Sequence, residues 1–185
     1  MPKPALLHQK SDKPLLSDKD IDAMFEVSIN SRKPNHIDLD HINDIIKSAI
    51  DTWQLPERVK RMSLPLYRYQ EEDLMHMQFL IAEIADVGIV GLASLEETDT
   101  TEMPNNQRTM LLHGLYVDPF YHRQGIATKL VESVELSASK CGVNGLLVKA
   151  QADSAPFFIK KGFTKLPVKD YSRDYDYRYW KTVQA

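Results

Sequence analysis

Residues 115–130, LYVDPFYHRQGIATKL, decide how this chain folds. Leu115, Tyr116 and Val117 close an apolar run that begins at Thr109, and Asp118-Pro119 stops it. Gly125 then turns the chain into the periodic set Ile126, Leu130, Val131, Val134 and Ala138, which Gly142 terminates. The pattern predicts a strand, a short loop and a long helix. The first amides of such a helix have no intrahelical partner, and its dipole places partial positive charge on them. Gly125 and Ala127 add no bulk there and Thr128 adds a hydroxyl, so the helix N-terminus can receive a phosphate. By spacing alone, a glycine that only turns a strand into a helix accounts for the same residues.

The flanking sequence extends this unit in both directions. Residues 145–150, GLLVKA, read as a buried strand, 154–161 as a short helix ending at Gly162, and 163–168 as a returning strand. Tyr175, Tyr177 and Tyr179 alternate with Asp176, Arg178 and Trp180, the period of two that marks a terminal strand. On the N-terminal side, two apolar runs, 78–85 and 89–95, joined by Asp86-Val87-Gly88 read as a β-hairpin, and 98–108 as a polar loop. Thr109 to Val117 is apolar on both alternating faces, as in a central strand covered on both sides. Ile42, Ile45, Ile46, Ala49, Ile50 and Trp53 recur at helical spacing up to Leu55-Pro56, predicting a helix with one buried face. Ser17 with Asp20 resembles a capping box for a short amphipathic helix through Ile21, Met24, Phe25 and Ile29, ending before Pro34. Residues 57–77 show no clean period; Arg58, Lys60, Arg61 and Arg68 read there as a solvated face or as a small anion-binding patch. The alternation predicts one domain, 1–185, of the α/β class around a mixed sheet.

Composition narrows the class. The 185 residues are 43% hydrophobic and 26% charged, with a mean hydropathy of −0.38, which excludes disordered and collagen-like chains. The net charge of −3 is evenly spread, so bulk charge gives no sign of nucleic-acid binding. Cys141 is the single cysteine and cannot form an internal disulfide; burial or packing at a helix C-cap is its expected role. The six histidines form no HExxH pattern, so no metal site is expected. Glu83 and Asp86 interrupt the most apolar stretch and the N-terminus lacks a signal-peptide core. A soluble, cytoplasmic protein is expected.

Together with 145–150 and the segment PFFIKKGF at 156–163, residues 115–130 resemble the acetyl-CoA-binding core of the GNAT superfamily of N-acetyltransferases. The resemblance covers roughly 79–168. It implies a mostly antiparallel, twisted sheet splayed at the cofactor site, with 17–77 as a helical acceptor-side segment and 169–185 as the terminal strand. It implies that the amides of Arg123, Gln124, Gly125, Ile126, Ala127 and Thr128 hold coenzyme A, with Val117, Gln151 and Phe158 completing the cofactor-binding set. His122 stands where the family usually has Gln or Arg, and Phe158 where many members carry a tyrosine that protonates the departing thiolate.

The reaction so implied is direct attack of a neutral amine on the acetyl thioester through a tetrahedral oxyanion, with the Val117 N–H polarising the carbonyl. The family's frequent glutamate base corresponds to Leu111 here. His113, two residues on, faces the same side and is the candidate base, since imidazoles accept protons near neutral pH; the competing reading is a hydrogen-bonded packing residue. Glu83 is the second candidate. For the acid, Ser154 lies one helical turn before Phe158, and Tyr175, Tyr177 or Tyr179 on the last strand is the other source, with Tyr177 taken as its representative. The expected partner is a small-molecule or peptide amine, recognised in part by the tyrosines of 171–179, with no nucleic acid or membrane and with a homodimer left open. The alternative is a non-catalytic acyl-CoA-binding sensor or interaction module, suggested by Phe158 and Leu111. A transferase acting on charged tRNA would require a more basic surface.

Overall fold

The computed structural model describes residues 27–30, 32–98, 107–168 and 175–183. In chain order these form β1 (Val27–Asn30), α1 (His36–Asp51), α2 (Glu57–Tyr67), α3 (Glu71–His76), β2 (Gln78–Ile84), β3 (Gly88–Glu97) and β4 (Thr109–Val117). Then follow α4 (Ile126–Lys140), β5 (Gly145–Lys149), α5 (Ala155–Lys160), β6 (Thr164–Lys165) and β7 (Arg178–Thr182). The strands make one seven-stranded sheet in the order β1-β2-β3-β4-β5-β7-β6. Every pairing is antiparallel except β4 with β5, so the sheet is mixed, as the sequence predicts.

Both faces of the sheet are covered, and the alternation of side chains along β2 shows how. Leu80, Ala82 and Ile84 join the core beneath α4, while Phe79 and Ile81 join the core beneath α1. The α4 stripe of Ile126, Leu130, Val131, Val134 and Ala138 is buried as its period requires, and the helix packs on β2, β3 and β4. On the opposite face, Ile42, Ile45, Ile46, Ala49 and Ile50 of α1 are buried against β3 and β4. A side chain of this size gains about 1.5–3 kcal/mol on burial, which makes the isoleucine stripe the main anchor of α1. Its start is fixed by Asn35, whose Oδ1 accepts from the amides of Ile37 (2.8 Å) and Asp38 (3.1 Å), while Asp38 Oδ2 accepts from the Asn35 amide at 2.8 Å. This is a reciprocal capping box.

Two segments depart from the sequence reading. The amphipathic helix expected through Ile29 does not reach that residue: Val27–Asn30 is an edge strand pairing with Ile81–Ile84. The rest of that segment, with Ser17 and Asp20, lies outside the described residues. Residues 57–77, which show no period, hold α2 and α3. The reason is visible in α2. Its inward face is Lys60, Leu64 and Tyr67, at helical spacing but headed by a lysine, whereas the apolar Val59, Met62 and Leu66 point outward. Lys60 is buried because its Nζ donates to Asp51 O (2.8 Å) and Glu57 Oε1 (2.9 Å), so it belongs to no anion patch. Arg58, Arg61 and Arg68 are exposed, the solvated face.

The stretch after α2 is stitched to the sheet by polar contacts. The buried Asn43 amide donates to Tyr69 O at 3.0 Å and accepts from Tyr69 N at 2.9 Å, imitating a strand pair. The Tyr69 ring then passes over β3 and β4, and its Oη meets Ser94 Oγ at 2.5 Å; burial pushes this phenol well above its ordinary value. Gly114 makes the passage possible, since a Cβ there would lie 2.3 Å from Tyr69 Oη and 2.7 Å from Tyr116 Cε2. Gly114→Ala should therefore destabilise the protein by about 1–3 kcal/mol. In a thermal melt that is a drop of roughly 2–4 °C per kcal/mol for a chain of this size; an unchanged midpoint would show that Tyr69 can move aside.

At its C-terminal end the sheet is shorter than expected. The strand predicted for 163–168 is confined to Thr164–Lys165, and β7 starts at Arg178, after Tyr175 and Tyr177. Cys141 is the C-cap of α4 and is exposed, so of its two expected settings the cap is the one observed. Among the described residues no helix is long and apolar enough to cross a membrane.

Candidate active site

The site arises from a mismatch between β4 and β5. Their parallel pairing runs from Thr109 with Gly145 to Leu112 with Val148 and stops there, yet β4 continues to Val117 while the chain after β5 turns to β7, with Ala150 N donating to Tyr177 O at 2.9 Å. The strands splay from His113 onward. His113 marks the point itself: opposite it the β3 register jumps from Ser94–Gly114 to Leu95–Leu112, so His113 is the extra residue of a β-bulge. Bulges re-aim side chains, and His113 is exposed within an otherwise largely buried strand. That overturns the packing reading for this histidine. It lines a small cavity of about 70 Å³ together with Trp53, Tyr67, Tyr116, Gln151 and Phe158, its ring centroid 6.1 Å from that of Tyr69.

On the free edge of β4 the backbone is left without a strand partner. Asp118 N donates to Val90 O at 2.9 Å, so the alternation of peptide groups turns the Val117 N–H and C=O to the opposite edge, which β5 has left. The carbonyl is occupied: His122 Nε2 bonds it at 2.9 Å. The N–H faces the opening.

The loop that follows is built to present amides. Asp118 Oδ1 accepts from Phe120 N at 2.9 Å, and the short 3₁₀ turn Pro119–Tyr121 brings His122 back toward Val117. Arg123 has φ of 67° and Gly125 has φ of 80°; for a non-glycine such a φ costs on the order of 1–2 kcal/mol, strain of the kind found at ligand-binding loops. Gly125 is the N-cap of α4 without any side-chain cap, and the first intrahelical bond of the region is Lys129 N to Gly125 O. The amides at the helix start have no partner within the helix. A Cβ on Gly125 would meet nothing within 4 Å, so the space over the loop is open.

That loop forms one wall of a cleft of about 570 Å³. Arg123, Gly125, Ile126, Ala127 and Thr128 line it, with Val117 and His122 beside them and Ser154, Phe157, Phe158 and Lys160 opposite. The C-terminal end of α1 closes the top through Thr52 and Trp53, held by a bond from Gln54 N to Asp153 Oδ2 at 3.0 Å. The cleft and the small cavity share Trp53, Leu115, Tyr116, Ser154 and Phe158, so they are two arms of one opening. A diphosphate fits the first arm: uncapped amides, a helix dipole and small side chains are what a polyanion needs.

The sequence-predicted residues divide as follows. Ser154 and Phe158 line both arms, while His113 lines the small cavity and Val117 the cleft. Gln124 is exposed and does not line the cleft with its neighbours. Gln151 lies on the small cavity, where its Nε2 donates to Tyr67 Oη at 2.8 Å. Tyr177 lines neither of these two arms and packs against the core, 5.1 Å from Lys165 Nζ and 6.1 Å from Tyr175. Tyr179 is buried and Tyr175 is also absent from both walls. Glu83 is withdrawn from the role of base, since it bonds Arg32 at 2.7 Å and Asn30 at 2.8 Å, and the guanidinium holds its carboxyl below the usual range. Leu111 is buried against Leu147. Sequence reasoning missed Trp53, Tyr67 and Tyr116 as wall residues; the only signal for Tyr67 was the helical spacing from Lys60 and Leu64.

A family model described as an acetyltransferase (GNAT) domain matches residues 52–175. The chain belongs to the GNAT acetyltransferase family: it is an acyltransferase whose cofactor is acetyl-CoA. Among solved structures it is similar to an N-acetyltransferase from Thermoplasma acidophilum in complex with coenzyme A, at 19% identity, TM-score 0.66, 84% of this chain and 99% of that one. It is also similar to a GNAT-family acetyltransferase from Staphylococcus aureus, at 18% identity, TM-score 0.63, 86% and 100%. A GCN5-related N-acetyltransferase from Rhodopseudomonas palustris aligns at 20% identity, TM-score 0.64, 84% and 94%. At these identities the likeness is one of fold. No curated protein sequence matches the chain significantly.

Proposed function

We propose that the protein transfers the acetyl group of acetyl-CoA to a primary amine by direct attack, with the cofactor's diphosphate on the α4 N-terminus and its thioester at the junction of the two arms. The observation that carries this reading is the conjunction of the uncapped amides of Gly125 to Thr128 with the unpaired edge of β4 at Val117. When bound, acetyl-CoA supplies an activated acyl group on a thiol leaving group. The loop amides bind the diphosphate and Thr128 adds a hydroxyl. Phe157 and Phe158, with ring centroids 5.3 Å apart, exclude water from the arm that receives the pantetheine. The Val117 N–H donates to the carbonyl oxygen as it gains charge, a donor of a kind worth about 3 kcal/mol or more.

His113, exposed at the bulge on the other arm, takes the proton of the incoming ammonium. His113→Ala should flatten the acid limb of the pH–rate profile while leaving coenzyme A affinity unchanged; a profile of unaltered shape would remove the histidine from the reaction. The acceptor enters through the arm walled by Trp53 and Tyr67, whose rings meet edge to face at 5.2 Å. Incubation of purified protein and acetyl-CoA with a panel of primary amines, read by mass spectrometry, should give acetylated product for at least one of them. Coenzyme A binding with no product across the panel would leave a binding module in place of an enzyme of this kind.

A further inference from the structure

The departing thiolate needs a proton, and Phe158 at the junction has none to give. Thiols ionise near 8.5 and phenols near 10, so a phenol is a matched donor, whereas aliphatic alcohols are much weaker acids. Two hydroxyl residues, Ser154 and Tyr116, line both arms, and a third, Tyr67, lines the small one. Ser154 is an aliphatic alcohol. Tyr116 is 8% exposed, and burial pushes its phenol far above the ordinary value, which sets it against leaving as an anion. Tyr67 is placed differently. Its ring is fixed by the edge contact with Trp53, and its oxygen accepts the Gln151 Nε2 hydrogen at 2.8 Å. An oxygen that accepts from one side keeps its own hydrogen for another partner, and the cavity it borders runs past Phe158 into the cofactor arm.

We propose that Tyr67 is the proton donor to the coenzyme A thiolate, oriented by Gln151. The inference rests on the cofactor placement given above. As the carbon–sulfur bond breaks, its electron pair goes to sulfur and the Tyr67 O–H hydrogen goes to the same atom, giving the free thiol. Tyr67 recovers a proton, through cavity water, from the amide nitrogen, which loses its surplus hydrogen on collapse. The stoichiometry is one amine and one thioester to one amide and one thiol. Tyr67 enters from α2, an element the cofactor-binding segments do not include, so the acceptor-side helices supply part of the chemistry as well as the walls.

The test uses the thiol itself. Coenzyme A bound to the whole protein is titrated by the ultraviolet absorbance of its thiolate in wild type, Tyr67→Phe and Ser154→Ala. A hydroxyl that donates to sulfur favours the thiolate, so Tyr67→Phe should raise the midpoint of the bound thiol by about one pH unit, a tenfold change in its ionisation. Ser154→Ala should leave it in place. Hydroxylamine, a small nucleophile that is neutral at pH 7, then serves as surrogate acceptor with acetyl-CoA. Tyr67→Phe should slow its acetylation by about 10²-fold or more, with calorimetric coenzyme A affinity within a few-fold of wild type, which also reports that the variant is folded. An unshifted thiol midpoint together with an unchanged hydroxylamine rate overturns the proposal, as does a shift confined to Ser154→Ala. Failure of wild type to bind coenzyme A would instead overturn the cofactor placement on which the proposal stands.

Discussion

Gly125→Glu should abolish measurable coenzyme A binding. The residue is the N-cap of α4 at φ of 80°, and the side chain it would gain points into open space, so the protein has room to fold around it. What changes is the cradle. A carboxylate beside a diphosphate at about 4 Å costs on the order of 4 kcal/mol at an effective dielectric of 20, roughly a thousandfold in affinity. The same carboxylate would also satisfy the helix-start amides that the ligand needs. Gly125→Ala separates charge from backbone strain: it carries the same unfavourable φ, worth on the order of 1–2 kcal/mol, without the charge. Calorimetry should therefore rank wild type, then Ala, then Glu, with the last beyond detection at high micromolar ligand. Equal affinity for wild type and Gly125→Glu would place the diphosphate elsewhere.

Val117→Pro should leave coenzyme A binding within several-fold and cut turnover by about 10²- to 10³-fold, the cost of deleting one oxyanion donor. The substitution is informative because of the splay. The Val117 N–H faces the edge vacated by β5, whereas the bond that ties this end of β4 to β3 is made by Asp118 N to Val90 O. A proline therefore removes the proposed donor without removing a ladder bond, unlike proline in the middle of a paired strand. Thermal unfolding run beside the kinetics reads any backbone distortion separately. If turnover persists with the melting midpoint intact, the oxyanion is held by another group.

How far the sequence leads depends on where regular periodicity coincides with function. The α4 stripe from Ile126 to Ala138 and the α1 stripe from Ile42 to Ile50 are both legible because each buries one clean face. The loop before α4 is legible for the same reason: a strand ends, a glycine follows and a stripe begins. α2 is illegible because its outward face carries Val59, Met62 and Leu66 while a hydrogen-bonded lysine occupies the inward one, with Pro65 inside the helix. The edge strand Val27–Asn30 is too short to establish a period against the helical spacing of Phe25 and Ile29. For His113 the sequence fixes the strand but not the register jump that exposes it, since a bulge depends on how β3 pairs. Tyr177 sits in a convincing alternation, yet β7 begins one residue later and the ring turns toward Lys165 and Tyr175. Tyr67, marked only by its spacing from Lys60 and Leu64, lines the small cavity because α2 is anchored by Lys60 and Trp53. The wall given by α2 is thus set by tertiary contacts, and the loop before α4 by local sequence.

The seating of coenzyme A on the start of α4 is tested most directly by titrating ¹⁵N-labelled protein with coenzyme A and following backbone amides. The largest shifts should fall on Gly125, Ile126, Ala127 and Thr128, with Val117 moving as well and with Val27–Asn30 on the far edge of the sheet unaffected. Saturating shifts that leave Gly125 to Thr128 unmoved would contradict it.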